Sequence, residues 1–497
     1  MAASSSLARR AVLAVLLMIG FYVLGLVIAS GLLLIPYGIY SAFGRYNVQL
    51  TFFCVASAGA ILWSLIPRPD YFEAPGPALT PDQQPQLFEE ISHIAHSVGQ
   101  EMPAEVYLVP EVNAWVMQRG GVMGFGSRRV MGLGLPLLQL LSRSELRAVL
   151  AHEFGHYHGG DTKLGPWIYK TRSAIVRTIH GIAERSTMLQ KPFIWYGNMF
   201  MRITHAISRQ QEFTADSLAA KAVGSKPLGD GLKLVHGGSD AFNYYWHGEV
   251  APVLDAGYRP PFVNGFARLL KTPEMTEVLN KSLEHELKEG QTDTYDTHPP
   301  LRERLAAVSN LPDYATAQTT ADEVPAVTLF TDLPALEDEL FKFMFDASTN
   351  VAAFKPLDWE ETGVHVFIPI WEKLCQERRE ELSGLTASEF PDWAGNLVGL
   401  GKRLTKKGQL LPEDDEVAER GVGLSGAALA VLLYREGATV KALPGEPVRM
   451  EKDGIIIEPF GLFRQFADGK LTAEQWRQQC EILGISSIDL GATGTPA

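Results

Sequence analysis

The chain has 497 residues, 46% hydrophobic and 20% charged, a globular composition too long for one ordinary core and too apolar for disorder. Its formal charge of −13, from 44 basic and 57 acidic residues, argues against a nucleic-acid partner, because neutralising phosphates calls for a basic surface. Three cysteines, Cys54, Cys375 and Cys480, build neither a disulfide framework nor a cysteine zinc site and are compatible with a reducing compartment.

The apolar excess is concentrated at the N-terminus. Residues 11–40 carry no charge, and about 20 apolar residues suffice for a helix to cross the hydrocarbon core. A second uncharged run follows at residues 48–66, with Arg45 in the short connection and Tyr37, Tyr40 and Trp63 placed as interfacial anchors. Arg9 and Arg10 also suit the start of a signal peptide, but the apolar stretch of such a leader is usually about 7–15 residues and no second span follows it at once. A hairpin flanked by Arg9, Arg10 and Arg68 puts the rest of the chain in the cytosol by the positive-inside rule. Its small residues Gly20, Gly25, Ala29 and Gly31 suit a homo-oligomer packed through these helices, and suit single spans as well.

The proline-rich stretch 67–80 reads as a linker. Thr80-Pro81 has the form of a helix start, and Leu87, Ile91, Ile94 and Val98 follow at helical spacing, with His93 and His96 off that stripe as solvated residues. Extended segments are expected at 105–109 and 128–133, separated by the glycine-rich 120–126. Ser142 and Glu145 have capping-box spacing, ahead of a helix that carries Leu146, Val149 and Leu150 and stops at Gly159-Gly160. Helical patterns recur over 164–223 and 266–289. A polar stretch, 311–324, then separates an α/β region, 325–497.

The helix after Ser142 contains His152-Glu153-Phe154-Gly155-His156. Residues four apart share a helix face, so both imidazoles can reach one zinc ion, and Glu153 flanks them where a carboxylate can deprotonate a bound water. A catalytic zinc needs a third protein ligand. A histidine six residues after the second fails, since Thr162 stands there; Glu212, in Ser208-Arg209-Gln210-Gln211-Glu212-Phe213-Thr214-Ala215-Asp216, supplies a carboxylate on a later helix. Asp216, one turn on, can orient a ligand histidine from behind. An isolated pair of this kind would otherwise read as a solvated acidic face.

Four blocks in one order make the chain resemble the HtpX-like and CAAX-prenyl-protease metallopeptidases, a gluzincin family of membrane proteases. They are Asn113-Ala114-Trp115, the His152–His156 motif running to Asp161, the Ser208–Asp216 block, and Thr297-His298-Pro299-Pro300-Leu301 leading to Arg304. The resemblance implies that Asn113 and Ala114 bind substrate backbone, where a strand-end turn is the bland alternative. It implies that residues 128–133 form the edge strand to which an extended peptide adds. His298 is either an oxyanion stabiliser or a helix-start residue held by the prolines after it. Asp161 either supports a ligand or caps its helix. The charges at Lys170, Arg172, Arg177, Glu184, Arg185, Lys191 and Arg202 argue against two further full spans in 164–209, and favour amphipathic helices on the membrane or packed on the domain.

The expected fold is therefore α+β: a transmembrane hairpin (1–66), a linker (67–80), a mostly helical gluzincin domain with a small sheet (81–310) and a C-terminal α/β region (325–497). The resemblance implies a zinc endopeptidase with one zinc per chain, set in a bacterial cytoplasmic membrane and acting on polypeptides such as misfolded membrane proteins. The rival is a regulatory or assembly protein in which proteolysis is secondary or absent.

Overall fold

The computed structural model describes residues 2–66, 72–120, 126–157, 165–183, 187–290, 299–312, 322–345, 351–406 and 413–494. They form two compact units: Met1–Ser239 with Asn280–Met344, and Asp240–Leu279 with Phe345–Ala497. Mostly helix with small sheets, the chain has the α+β class that its patterns imply.

In the first unit, the uncharged runs form helices α1 (Ala2–Phe43) and α2 (Val48–Leu65). Gly44, at φ +64°, closes α1, and the Asn47 side chain accepts from the Leu50 N–H at 3.0 Å to start α2. Both are long and apolar enough to cross a membrane. Leu16, Val27, Phe52 and Trp63 point outward, as lipid-facing side chains do. Gly25 has no Cβ because Leu65 lies against it, 2.8 Å from where that carbon would stand.

Helices α6 (Gly165–Ala183) and α7 (Thr187–Val223) are not among the helices long and apolar enough to cross a membrane. They pack against α1 and α2, where Phe21, Ala58 and Ile61 share a core with Ile175, Ile182, Phe193 and Phe200. Polar side chains tie the four together: Tyr196 donates to the Leu17 carbonyl at 2.6 Å, and Ser64 and Thr178 share a hydrogen bond of 2.6 Å. Two of the charges that argued against spanning are used here, Arg172 on the Thr204 hydroxyl at 2.8 Å and Arg177 on the Ser64 carbonyl at 3.4 Å.

The sheet of this unit contains β1 (Ala78–Leu79), β2 (Glu105–Val109), β3 (Ala114–Arg119) and β4 (Arg128–Gly134), in the order β1-β2-β4-β3. β4 is parallel to β2 and antiparallel to β3, with Val116 opposite Met131. The segment expected as the edge strand, β4, is thus an inner strand, and β3 pairs on one side only among the described residues. Within β4, Gly132 and Gly134 allow the close approach of Trp115 and of the Glu111 and Asn113 backbone.

Helix α3 (Pro85–Ser97) buries Leu87, Ile91 and Ile94 and begins four residues after Pro81. A short helix α4 (Leu135–Leu140) leads to α5 (Arg143–Gly155). The capping box at its start is complete, with the Glu145 carboxylate accepting from the Ser142 N–H at 2.7 Å and Ser142 Oγ accepting from the Glu145 N–H at 3.3 Å. The helix ends with His156 as its C-cap, before the glycine pair expected to stop it. Helix α8 (Leu301–Ser309) follows Pro299-Pro300.

The second unit is built on α9 (Asp414–Arg435), with the antiparallel sheet β5 (Thr439–Lys441), β6 (Arg449–Lys452) and β7 (Ile455–Ile457), and α10 (Ala473–Leu483). α9 also has the length and composition of a membrane span, but 67% of its most apolar window is buried inside the protein. Leu429, Val431 and Leu433 pack there with Phe390, Phe463 and Trp476, so protein, not lipid, covers its apolar surface.

Candidate metal centre

The site forms where α7 crosses α5. Phe154 and Leu150 bury one face of α5. Gly155, inside the histidine motif, allows close approach: a Cβ there would stand 2.9 Å from the Ala215 Cα. That contact sets the Glu212–Asp216 turn of α7 against the two histidines. His152, Glu212 and Asp216 are buried, at 7%, 4% and 1% exposure, a burial of charge that only mutual pairing or a metal makes tolerable.

The three donors expected for zinc come together. His152 Nε2 and His156 Nε2 are 3.2 Å apart, and the Glu212 carboxylate lies 3.4 Å from the first and 3.5 Å from the second. Bonds of about 2.0–2.1 Å in a tetrahedron give donor separations of about 3.3–3.4 Å, so the triangle has the size that zinc requires. Glu153 offers another oxygen within 4.8 Å of both imidazoles. Its carboxylate also accepts from the Val116 backbone N–H.

Behind the triangle, Asp216 accepts from His152 Nδ1 at 2.8 Å. In the neutral ring the proton is thereby assigned to Nδ1, and Nε2 keeps its lone pair for a metal. Arg304 of α8 clamps the same carboxylate with both prongs, Nε at 2.9 Å and Nη2 at 2.7 Å, and its Nη1 lies 3.4 Å from Glu212. Burial opposes a charge on His152, but the bonds to Asp216 and Glu212 outweigh it and raise its pKa to about 9 in the metal-free state. Burial also pushes Glu153 up to about 7, against the pull of His152. Asp216 stays below the ordinary carboxylate range because its bonds to Arg304 and His152 outweigh its burial.

The outer side of β3 faces this centre. The Asn113 carbonyl accepts from the Gly134 N–H at 2.8 Å, so Asn113 and Trp115 turn their backbone toward β4 and Ala114 and Val116 turn theirs away. The Val116 carbonyl accepts from the Tyr157 hydroxyl at 2.9 Å. Ala114 is buried at the start of the strand and Asn113 is exposed just before it. Asp161 and His298 lie outside the described residues. In the sequence Arg304 stands out only as the end of a motif, the second of two arginines in the first turn after Pro299-Pro300, and nothing there separates it from Arg302.

Such a centre, two histidines and a glutamate from crossed helices beside a strand edge, defines the gluzincin metallopeptidase class. Residues 81–311 match the model of peptidase family M48. The chain is 28% identical over 172 residues to Protease HtpX of Idiomarina loihiensis, covering 31% of this chain and 58% of that protein. It is 24% identical over 246 residues to the Protease HtpX homolog of Janthinobacterium, covering 45% and 71%, and 28% identical over 169 residues to Protease HtpX of Yersinia pestis, covering 29% and 55%. The chain spans little more than half the length of several of these relatives, and no solved structure matches it. Over residues 81–311 the chain is thus similar to peptidase family M48, and to its HtpX proteases in particular.

Proposed function

We propose that this protein is a membrane-anchored, zinc-dependent endopeptidase whose metal is held by His152, His156 and Glu212, with Glu153 as general base. The observation that carries the reading is the triangle of 3.2, 3.4 and 3.5 Å between the three donor groups. Zinc bound there would polarise a peptide carbonyl and bring the pKa of a water near 7. Glu153, held beside the imidazoles and raised to about 7, takes a proton from the attacking water and passes it to the leaving amine. Asp216 and Arg304 keep His152 in the tautomer that presents Nε2 outward. The outward backbone of Ala114 and Val116 supports pairing with an extended substrate, and His298 and Asp161 retain the oxyanion and supporting roles that the family resemblance implies.

The large part of the chain after α2 stands on the cytosolic side in this reading, by the charge asymmetry around the hairpin. Polypeptides of the membrane and its surface, misfolded ones among them, are the substrates, in line with the relatives named HtpX. The test is zinc content together with cleavage of an unfolded protein, using full-length protein in detergent. The expected result is one zinc per chain and cleavage in the wild type, both lost in Glu212→Ala. Zinc that persists in Glu212→Ala would overturn the donor set, and zinc without cleavage would overturn the enzymatic reading.

A further inference from the structure

Resting on that reading, we propose that Tyr157 occupies the place of substrate backbone on the β3 edge, so that a polypeptide binds only by displacing its side chain. Tyr157 directly follows His156, where α5 has just ended. Its hydroxyl donates to the Val116 carbonyl at 2.9 Å, the length at which an N–H of an added strand would stand. The other outward group of the same residue, the Val116 N–H, is given to Glu153. At this point of the edge both backbone groups that strand addition needs are therefore engaged, one by Glu153 of α5 and one by Tyr157 just beyond it.

The contact is supported from the other side. The Arg129 guanidinium lies over the Tyr157 ring, 4.4 Å from its centroid, and Arg129 Nη1 is itself fixed on the Glu101 carbonyl at 2.9 Å. The ring is thus held on β3 by a residue of the neighbouring strand β4. An incoming strand would run about 4.8 Å from β3 and would need the Val116 carbonyl that the Tyr157 hydroxyl holds. Displacement exchanges one neutral hydrogen bond for another, so the tyrosine weakens substrate binding without touching the chemistry. The same contact protects the edge from pairing with another chain when no substrate is present.

The experiment measures fluorescein-labelled β-casein on zinc-loaded full-length protein in detergent. Binding by anisotropy is read in a Glu153→Gln background, and cleavage is read with Glu153 intact. Tyr157→Phe keeps the ring and removes the donor. It is expected to tighten binding about three- to tenfold, the worth of one neutral hydrogen bond, and to lower KM by the same factor with kcat within about twofold. Arg129→Gln, which releases the ring and keeps the hydroxyl, is expected to shift both in the same direction by less. Unchanged or weaker casein binding in both variants, with melting temperatures near wild type, would overturn the proposal. Should one variant melt early, the other decides. Tighter binding without cleavage by the wild type would sink the enzymatic reading and leave this one standing; cleavage unaffected by Tyr157→Phe would do the reverse.

Discussion

The two units bury different things. Around α5 and α7, the first unit encloses His152, Glu212, Asp216 and Arg304 and balances them against one another. Around α9, the second encloses Leu429, Val431, Phe390 and Trp476, with Trp476 Nε1 donating to the Ala387 carbonyl at 2.7 Å. The first arrangement gives up transfer free energy to hold charge away from water, where electrostatic work on a substrate is strongest. The second gains stability from area. A substitution should therefore register as lost chemistry in one unit and lost folding in the other.

The sharpest break is at Glu153. Glu153→Gln is expected to keep zinc and to lower kcat by about 10²–10⁴-fold, the range for losing a general base, as read by casein cleavage beside a zinc assay. Leu429→Ala, at a fully buried position of α9, is expected to destabilise its unit by about 2–5 kcal/mol in denaturant melts while the zinc content stays at one per chain. Asp216→Asn returns to the first unit, where weakening the hold on His152 should lower zinc affinity about 10–100-fold in chelator competition.

The smallest effect is one of pH on chelated protein. His152 is raised from 6.5 to about 9 and Glu153 from 4.5 to about 7. Their contributions are full below the unfolded values and are lost as pH rises through the folded ones. The first unit of the metal-free protein should thus melt several degrees lower at pH 9 than at pH 6, by scanning calorimetry. Zinc should reverse the trend, because deprotonated donors bind it better. A melting temperature that rises with pH without metal would contradict the charge balance described for the site.

Spacing made the histidine and carboxylate cluster legible, since His152 and His156 had to share a helix face and Glu212 and Asp216 had to share another. That His152 meets Asp216 at 2.8 Å and Glu212 at 3.4 Å depends on how two helices cross, and there Gly155 was informative only once Ala215 lay against it. The sheet was less legible. Two extended segments could be read from alternation, but not which one would be the edge; β3 took that place because β4 inserted parallel to β2. The contact of Tyr157 with Val116 lies across 41 residues of sequence and had no local signal. Counting charges kept α6 and α7 off the candidate spans, but gave no sign that Arg172 and Arg177 would bond to Thr204 and Ser64.

Helix α7 is 37 residues long, about 55 Å at the usual rise per residue. Tyr196, tied to α1, and Glu212, in the donor triangle, belong to this one rod, about 24 Å apart. A rod transmits angle as displacement: a tilt of about 5° pivoting at Tyr196 carries the carboxylate about 2 Å, by the length that the helical rise gives it. That is more than half of the 3.4 Å edge between Glu212 and His152. The contact with α1 is thus a fulcrum as well as a tether: any tilt of α7 about Tyr196 would be read out as displacement of the Glu212 carboxylate from the histidines.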